Sequence, residues 1–199
     1  MEKFYYEVPG IDRKEDAIAY INEFYLYKSN INGSGKLHKY LDNYQGWLEQ
    51  LQIEYMREAN ERIVPSKTFF LVRSSDSKIV GMINIRLALN ERLKKSGGNI
   101  GYSIRPTERG KGYNKINLYL GLKVCQEYKI EKILLDADKD NPASWRTMED
   151  LGGIYIKESY DEEEACIAKR YEIDVKESIT KYSSIYEPMV EDIRENKEK

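Results

Sequence analysis

What is scarce in this chain narrows the field first. One histidine, His38, occurs in 199 residues, so a His-based metal cluster is excluded and a Ser-His-Asp arrangement survives only if His38 alone supplies it. We read it as a surface residue. The two cysteines, Cys125 and Cys166, stand far apart without C-x-x-C or histidine spacing. Neither a disulfide framework nor a zinc site is expected, and a reducing cytoplasm fits best. No run approaches the roughly 18 to 20 apolar residues of a membrane span. "MEKFYYEVPG" puts no apolar core behind a basic region, so no export signal is expected either. The formal net charge is only -2, and nothing points to nucleic acid as a partner. No internal repeat occurs, and no Pro-, Gly- or Ser-rich linker divides the chain, whose length suits one domain.

What is present describes a folded chain of mixed strands and helices. A hydrophobic fraction of 41% with 17 tyrosines argues against disorder, and 33% charged residues of both signs give an ordinary solvated surface. "DRKEDAIAYINEFYLY" opens on Asp12, three residues before Glu15 in the manner of a capping box, and then repeats Ile18, Ile21 and Tyr25. After the loop "SNINGSGK", Tyr44, Trp47, Leu48, Leu51 and Tyr55 follow the i, i+3, i+4, i+7 spacing of a second, neighbouring helix. "KTFFLVRSSDSKIVGMINIRLAL" predicts a hairpin around a Ser-Asp-Ser turn, and "NIGYSIRP" a strand stopped by Pro106. A broadly apolar helix follows from Tyr113 to Tyr128, weakened by Gly121, and then "KILLDAD" reads as a buried strand. Asn141 can cap the helix "PASWRTMEDL", with Pro142 where a missing N–H costs nothing. Gly152 and Gly153 end it. "GIYIKES" and "CIAKRYEIDV" are closing strands joined by the acidic turn "YDEEEA". Residues 1–175 make the domain, and 176–199 a polar tail that is either a surface helix or partly disordered.

The stretch "RPTERGKGYN", residues 105–114, sets Gly110 and Gly112 among cations between a strand and an apolar helix. Free N–H groups at such a helix start can hold a phosphate, and glycine lets the backbone come close. An isolated R-G-K-G is equally what a charged surface turn looks like. Context decides between them: strand, break at Pro106, helix, strand and Asn-capped helix occur in one order. That order, with Arg109, Gly112 and Asn114 at the places of a pyrophosphate loop, resembles the GNAT superfamily of N-acetyltransferases. "IGYSIRPTERGKGY" and "DKDNPASWRTMEDLGG" look like signatures of a branch described only as predicted acetyltransferases. The resemblance covers Val64 to Val175 by motif and the first two helices by pattern.

The resemblance implies an α/β fold, a single GNAT-like domain whose mixed central β-sheet is splayed in the middle and flanked by helices. Acetyl-CoA, as co-substrate, would lie between the strand ending at Ile104 and the one ending near Asp138; no metal is implied. The diphosphate would rest on Arg109, Gly110, Lys111, Gly112, Tyr113 and Asn114. The backbone of Ser103, Ile104 and Arg105 would pair with the pantetheine amides as an edge strand does. Asn141 and Ser144 would sit near the pantetheine arm, although plain helix capping explains them equally. The acceptor pocket would come from the first two helices and their loop, rich in Tyr25, Tyr27, Tyr40 and Trp47.

Three positions depart from the family pattern. Asn114 replaces a small residue and must point away from the diphosphate or bond to it. Met148 stands where many relatives carry a tyrosine that protonates the leaving thiolate, and Asn99 where a histidine often precedes "IGY". A CoA thiol of pKa ~8.5 leaves tolerably unaided, whereas a primary amine of pKa ~10.4 is mostly protonated at pH 7, so a base matters more than an acid. The candidates are Asp136 and Asp138, on one face of their strand by its period of two, and Tyr102. Exposed strand-end carboxylates and a core tyrosine are their blander readings. The implied function is acetyl transfer to a primary amine, on a small molecule or a protein, by direct attack. The alternative is a CoA-binding sensor or partner module that has lost catalysis; a homodimer stays open. "NGSGKL" resembles a P-loop but has Asn30 for the first Gly and Leu37 for Ser or Thr, which leaves a flexible loop. The run Asp161 to Glu164 reads as a solvated turn that could also draw a cationic acceptor.

Overall fold

The hairpin around the Ser-Asp-Ser turn forms, and the first sheet is built on it. A computed structural model describes residues 1–162 and 165–195. In it β1 (Phe4–Glu7), β2 (Ser66–Arg73), β3 (Lys78–Arg86) and β4 (Ile100–Ile104) lie side by side in that order, each pair antiparallel. Runs such as "FFLV" bury on both faces because helices cover both. One face sets Tyr5, Phe70, Val72 and Met82 against α1 (Lys14–Leu26) and α2 (Tyr44–Met56). The other sets Tyr6, Phe69, Leu71 and Ile83 against α4 (Tyr113–Glu127), a helix buried on nearly every side. Gly121, read from sequence as a weakness, is where a Cβ would come within 2.8 Å of Ile83 Cδ1. α3 (Glu91–Lys95) is a single turn before β4.

The second sheet has the order β5-β7-β6, again antiparallel, from β5 (Lys132–Asp138), β6 (Ile154–Asp161) and β7 (Cys166–Asp174). α5 (Pro142–Asp150) follows β5, capped by Asn141 as the sequence predicts. Among the described residues the two sheets meet at one seam. Asn99 N donates to Leu134 O at 2.7 Å, and Asn99 Oδ1 accepts from Leu134 N at 2.9 Å. Gly98, at φ +57°, must be glycine there, since a Cβ would stand 2.1 Å from Leu134 O. Beyond this seam β4 and β5 part, which is the splayed central sheet expected.

Five elements differ from the sequence reading. The chain enters α1 through a 3-10 turn, Ile11–Arg13, and no side chain caps the helix, so the Asp12 capping box does not form. On α2 Asn43 is the cap, accepting from Gly46 N at 3.1 Å, while Tyr55 lies 39% exposed under the Lys67 ammonium. β1 and α3 carried too few residues to show a period. Residues 176–186 continue from Val175 as α6 (Val175–Tyr186), with Ser178 and Tyr186 buried. The chain then bridges β1 through Val190 and Arg194. Of the acidic turn and the tail, residues 163–164 and 196–199 lie outside the described residues. Among those described, no helix is long and apolar enough to cross a membrane.

Candidate active site

Where β4 and β5 part, a cleft of about 1050 Å³ opens, running from Gly110 and Gly112 past Tyr102, Ile104 and Ala137 to Asp136, Asp161 and Cys166. Its upper end is a loop fixed from behind. Pro106–Glu108 forms a 3-10 turn that buries the Glu108 carboxylate, 4% exposed, against Lys78 Nζ (2.6 Å), Lys111 Nζ (2.8 Å) and Arg73 Nη1 (2.9 Å). Burial alone would push the carboxyl up; hydrogen bonds from Lys111, Lys78 and Arg73 overcome it and hold Glu108 down to about 2. The chain then passes through Gly110 (φ +77°) and Gly112 (φ +79°), and a Cβ built on either meets nothing within 4 Å. Conformation, not crowding, demands glycine at both. Gly112 is the N-cap of α4 and supplies no capping side chain. Lys115 N donates to Gly112 O at 3.1 Å, which leaves the Tyr113 and Asn114 N–H groups of the first turn for an anion.

The remaining loop residues divide by direction. Lys111 is tied to Glu108, and Tyr113 donates to Glu2 Oε2 at 2.5 Å behind the loop. Arg109 turns toward β4, with Nε on Ile104 O at 3.1 Å, Nη2 on Ser29 Oγ at 2.8 Å, and its guanidinium over the Phe24 ring. Asn114 turns into the cleft, Nδ2 donating to Thr147 Oγ1 at 3.4 Å, rather than out toward the loop. Along the wall the ladder decides which backbone groups are available. Arg105 N donates to Val80 O, and Arg86 N donates to Asn99 O, so odd-numbered residues of β4 face β3, and Tyr102 and Ile104 face the gap. This corrects the expectation for Arg105: its N–H belongs to the sheet, and its guanidinium is bonded to Glu23 Oε2 and Ile79 O. Ser103 is at the cleft, but its carbonyl accepts from Tyr20 OH at 3.1 Å and its hydroxyl donates to Asn32 O at 2.5 Å.

The two aspartates are not equivalent. Asp136 accepts from Arg170 Nε (2.8 Å) and Nη2 (2.6 Å) and from Gly97 N (2.6 Å). Both of its oxygens are engaged, and the Arg170 ion pair holds the carboxylate in place rather than leaving it free at the cleft. Asp138 is exposed at the cleft, and its Oδ1 accepts from Asp140 N at 2.9 Å in the turn leading to α5. Tyr102 reaches the first turn of α5, its hydroxyl donating to Ser144 O and accepting from Ser144 Oγ, both at 3.1 Å. Burial raises the phenol well above its ordinary value, which favours its neutral, proton-bearing form. Asn141 lines the cleft while capping α5, accepting from Ser144 N at 3.3 Å. Met148 is 1% exposed and packs in the core; α5 presents Ala143, Ser144 and Thr147 to the cleft instead.

With this geometry in place, residues 13–154 match the family model described as "Acetyltransferase (GNAT) domain". The chain belongs to the GNAT acetyltransferases. Among solved structures, a mutant form of the spermidine/spermine N-acetyltransferase SpeG from Vibrio cholerae aligns with TM-score 0.62 at 13% identity, over 90% of this chain and 98% of that one. A candidate ribosomal-protein-serine acetyltransferase from Vibrio cholerae aligns with TM-score 0.61 at 13% identity, over 87% and 95%. A dodecameric spermidine N-acetyltransferase from the same organism aligns with TM-score 0.61 at 12% identity, over 90% and 98%. No curated protein matches the sequence.

In this GNAT chain the first two helices contribute differently than expected. Trp47 is buried, with Nε1 on Gly35 O, and Tyr25 and Tyr27 face solvent. Of the α1–α2 connection it is Lys28, Ser29, Asn30 and Asn32 that line the cleft, and neither those aromatics nor Tyr40 does. The signal for them was the glycines of "SNINGSGK": Gly33, at φ +70°, lies so close to β4 that a Cβ would stand 2.4 Å from Gly101 O. That loop is packed onto the sheet, not loose. His38, expected at the surface, is half-buried in the same connection and does not line the cleft.

Proposed function

We propose that the protein transfers an acetyl group from acetyl-CoA to a primary amine by direct attack of the amine on the thioester. The observation that carries this reading is the continuity of the cleft: the uncapped start of α4 at one end, the open edge of β4 along the wall, and an exposed carboxylate on β5 at the other. The donor set fits CoA. Main-chain N–H groups of the 110–114 loop suit a diphosphate, the Tyr102 and Ile104 backbone suits an amide-bearing arm, and Asn141 and Ser144 stand beside that path. Acetyl-CoA supplies the activated acyl group; the chain supplies orientation and proton handling. Asp138, in contact with solvent, is the group positioned to take the ammonium proton, directly or through water. Cys125, pushed up to about 12 by burial, offers no nucleophile, and Cys166, the cysteine that lines the cleft, lies in no nucleophile motif, which favours direct attack. The acceptor is a small amine or an amine on a protein, as the names of the structural neighbours illustrate.

A second reading, a CoA-binding module without catalysis, is favoured by one set of observations: Met148 is buried, Asn99 is spent on the seam and Asp136 is locked to Arg170. One experiment separates them. The protein is titrated with acetyl-CoA by calorimetry and then assayed for thiol release with spermidine, small amines and a serine-initiated peptide. Binding with release on any of them supports the transferase. Binding without release on all supports the module, and absence of binding sinks both.

A further inference from the structure

The second sheet ends in a strand that is not finished as a free edge. β6 pairs with β7 alone, and its Ile154, Tyr155, Ile156 and Tyr160 are 49 to 67% exposed, with Ile167 of β7, opposite Tyr160, at 47%. Soluble chains blunt an edge with short strands, charges, prolines or bulges. Here the one bulge, between Tyr155 and Lys157, deforms only the first end and leaves 157–161 as a regular ladder. Lys139 N donates to Ile167 O and Val175 N to Glu131 O, so odd-numbered residues of β7 bond β5 and even-numbered ones bond β6. Lys157, Ser159 and Asp161, opposite Arg170, Ala168 and Cys166, therefore spend their main-chain groups on β7. Those of Glu158 and Tyr160 point outward, with no strand beyond them among the described residues.

We propose that β6 pairs antiparallel with β6 of a second copy, about a two-fold axis through Ser159. Charge selects both the occupant and the register. Residues opposite each other across such an axis share a face of the sheet, so the axis must pass through a residue and not between two. Centred on Lys157 or Glu158, it sets like charges opposite, and centred on Tyr160 it sets Glu158 opposite the partner's Glu162; each is destabilising. Centred on Ser159, it sets Lys157 opposite the partner's Asp161, twice over, and Glu158 opposite the partner's Tyr160. The two Tyr160 rings become diagonal neighbours, which joins the apolar patches of the copies. At ~150 to 250 Å² for a large side chain, the five exposed ones leave on the order of 500 Å² per copy, and ~1,000 Å² between two copies reaches what a specific interface needs. The pairing also bears on the cleft. Asp161 lines its end away from the phosphate loop, with its carboxylate accepting from Ser96 Oγ, so the partner's Lys157 arrives at that end and each site is completed by both copies.

The test reads assembly first and register second. Sedimentation velocity of the full-length protein over a dilution series should give twice the mass of one chain, and Tyr160→Lys, folded by circular dichroism, should give the mass of one. In the proposed register Ser159 forms a non-hydrogen-bonded pair with its own copy, whose Cα atoms lie ~4.5 Å apart, within the ~4.4 to 6.8 Å that a disulfide spans. Ser159→Cys should therefore form a covalent dimer when oxidised with glutathione disulfide and revert in dithiothreitol. Wild type, with Cys125 and Cys166 in place, and Glu158→Cys should not. A wild type that stays monomeric throughout the series overturns the proposal. A dimer that survives Tyr160→Lys, or cross-links equally through positions 158 and 159, does the same by placing the contact elsewhere. Should Tyr160→Lys not fold, the contrast between Ser159→Cys and Glu158→Cys decides alone. Neither measurement uses CoA, so the outcome is independent of the cofactor reading above.

Discussion

Asp136 and Asp138 share a strand face and a residue type, yet their partners give them opposite consequences when changed. Asp136→Asn leaves Arg170 buried without its counter-charge and weakens the bond to Gly97 N. The expected loss is about 3 to 5 kcal/mol of unfolding free energy in urea denaturation. Asp138→Asn should stay within about 0.5 kcal/mol of wild type but slow transfer at pH 7, with activity recovering at high pH where the amine deprotonates by itself. Equal stability in the two variants would contradict the ion-pair account; an Asp138→Asn rate equal to wild type at pH 7 would remove it as the base. Glu108 makes a pH-dependent prediction. Its carboxyl ordinarily titrates at 4.5 and is held to about 2 in the folded protein by Lys111, Lys78 and Arg73 against the effect of burial. A depressed folded value means the contribution is complete above pH 4.5 and lost as the pH falls through about 2. Relative to Glu108→Gln, the wild type should therefore be more stable by on the order of 2 to 3 kcal/mol near neutrality. That margin should shrink below pH 4.5. A margin constant with pH would mean that the three cations do not hold Glu108 ionised.

At the scale of elements, what the sequence revealed and what it hid follow from range. The helices over "INEFYL" and "YQGWLEQL", the β2–β3 hairpin, the glycine turn before α4 and the Asn141 cap are written in contacts a few residues apart, so periodicity and capping chemistry expose them. The Asp136–Arg170 pair joins residues 34 apart in sequence, and the Asn99–Leu134 seam joins residues 35 apart. No local pattern announces either, and Asn99 could be judged only as a missing base. The same reason explains why the α1–α2 loop looked merely flexible: Gly33 is demanded by Gly101 of β4 and Gly35 by Thr68 of β2, both far along the chain. Asn99 carries a prediction of its own. Asn99→His, the residue the family resemblance suggests there, replaces an amide that accepts from Leu134 N and donates to Arg86 O by a bulkier ring in a site only 3% exposed. We expect a loss of roughly 1 to 3 kcal/mol and no gain in turnover, measured by chemical denaturation and thiol release. A stable, faster Asn99→His variant would show that the seam tolerates a base and that our structural role for Asn99 is wrong.

For the whole molecule, the splay makes ligand binding and stability one question. Two sheets held by a seam at one end of β4 and β5, and by α4 and α5 above them, leave the open edge of β4 without strand partners in the gap. A CoA arm lying along it would supply them. Acetyl-CoA at ~100 times its dissociation constant should add ~2.7 kcal/mol to the unfolding free energy, seen as an upward shift in melting temperature. Hydrogen exchange should localise the effect: slower exchange is expected at the amides of Tyr102, Ile104 and the first turn of α4, with β6, on the far side of the second sheet, unchanged. Gly112→Asp tests the origin of the binding. A Cβ there meets no protein atom within 4 Å, but φ +79° is unfavourable for any residue with a Cβ. The variant should therefore melt slightly lower than wild type without ligand, by the ~1 kcal/mol that a left-handed non-glycine residue costs. Its carboxylate would then occupy the anion position at the start of α4, so acetyl-CoA should no longer shift its melting or protect β4. Protection of β4 that survives in Gly112→Asp would show that the arm binds without the loop, and a uniform change across both sheets would show that the ligand lies somewhere other than the gap between them.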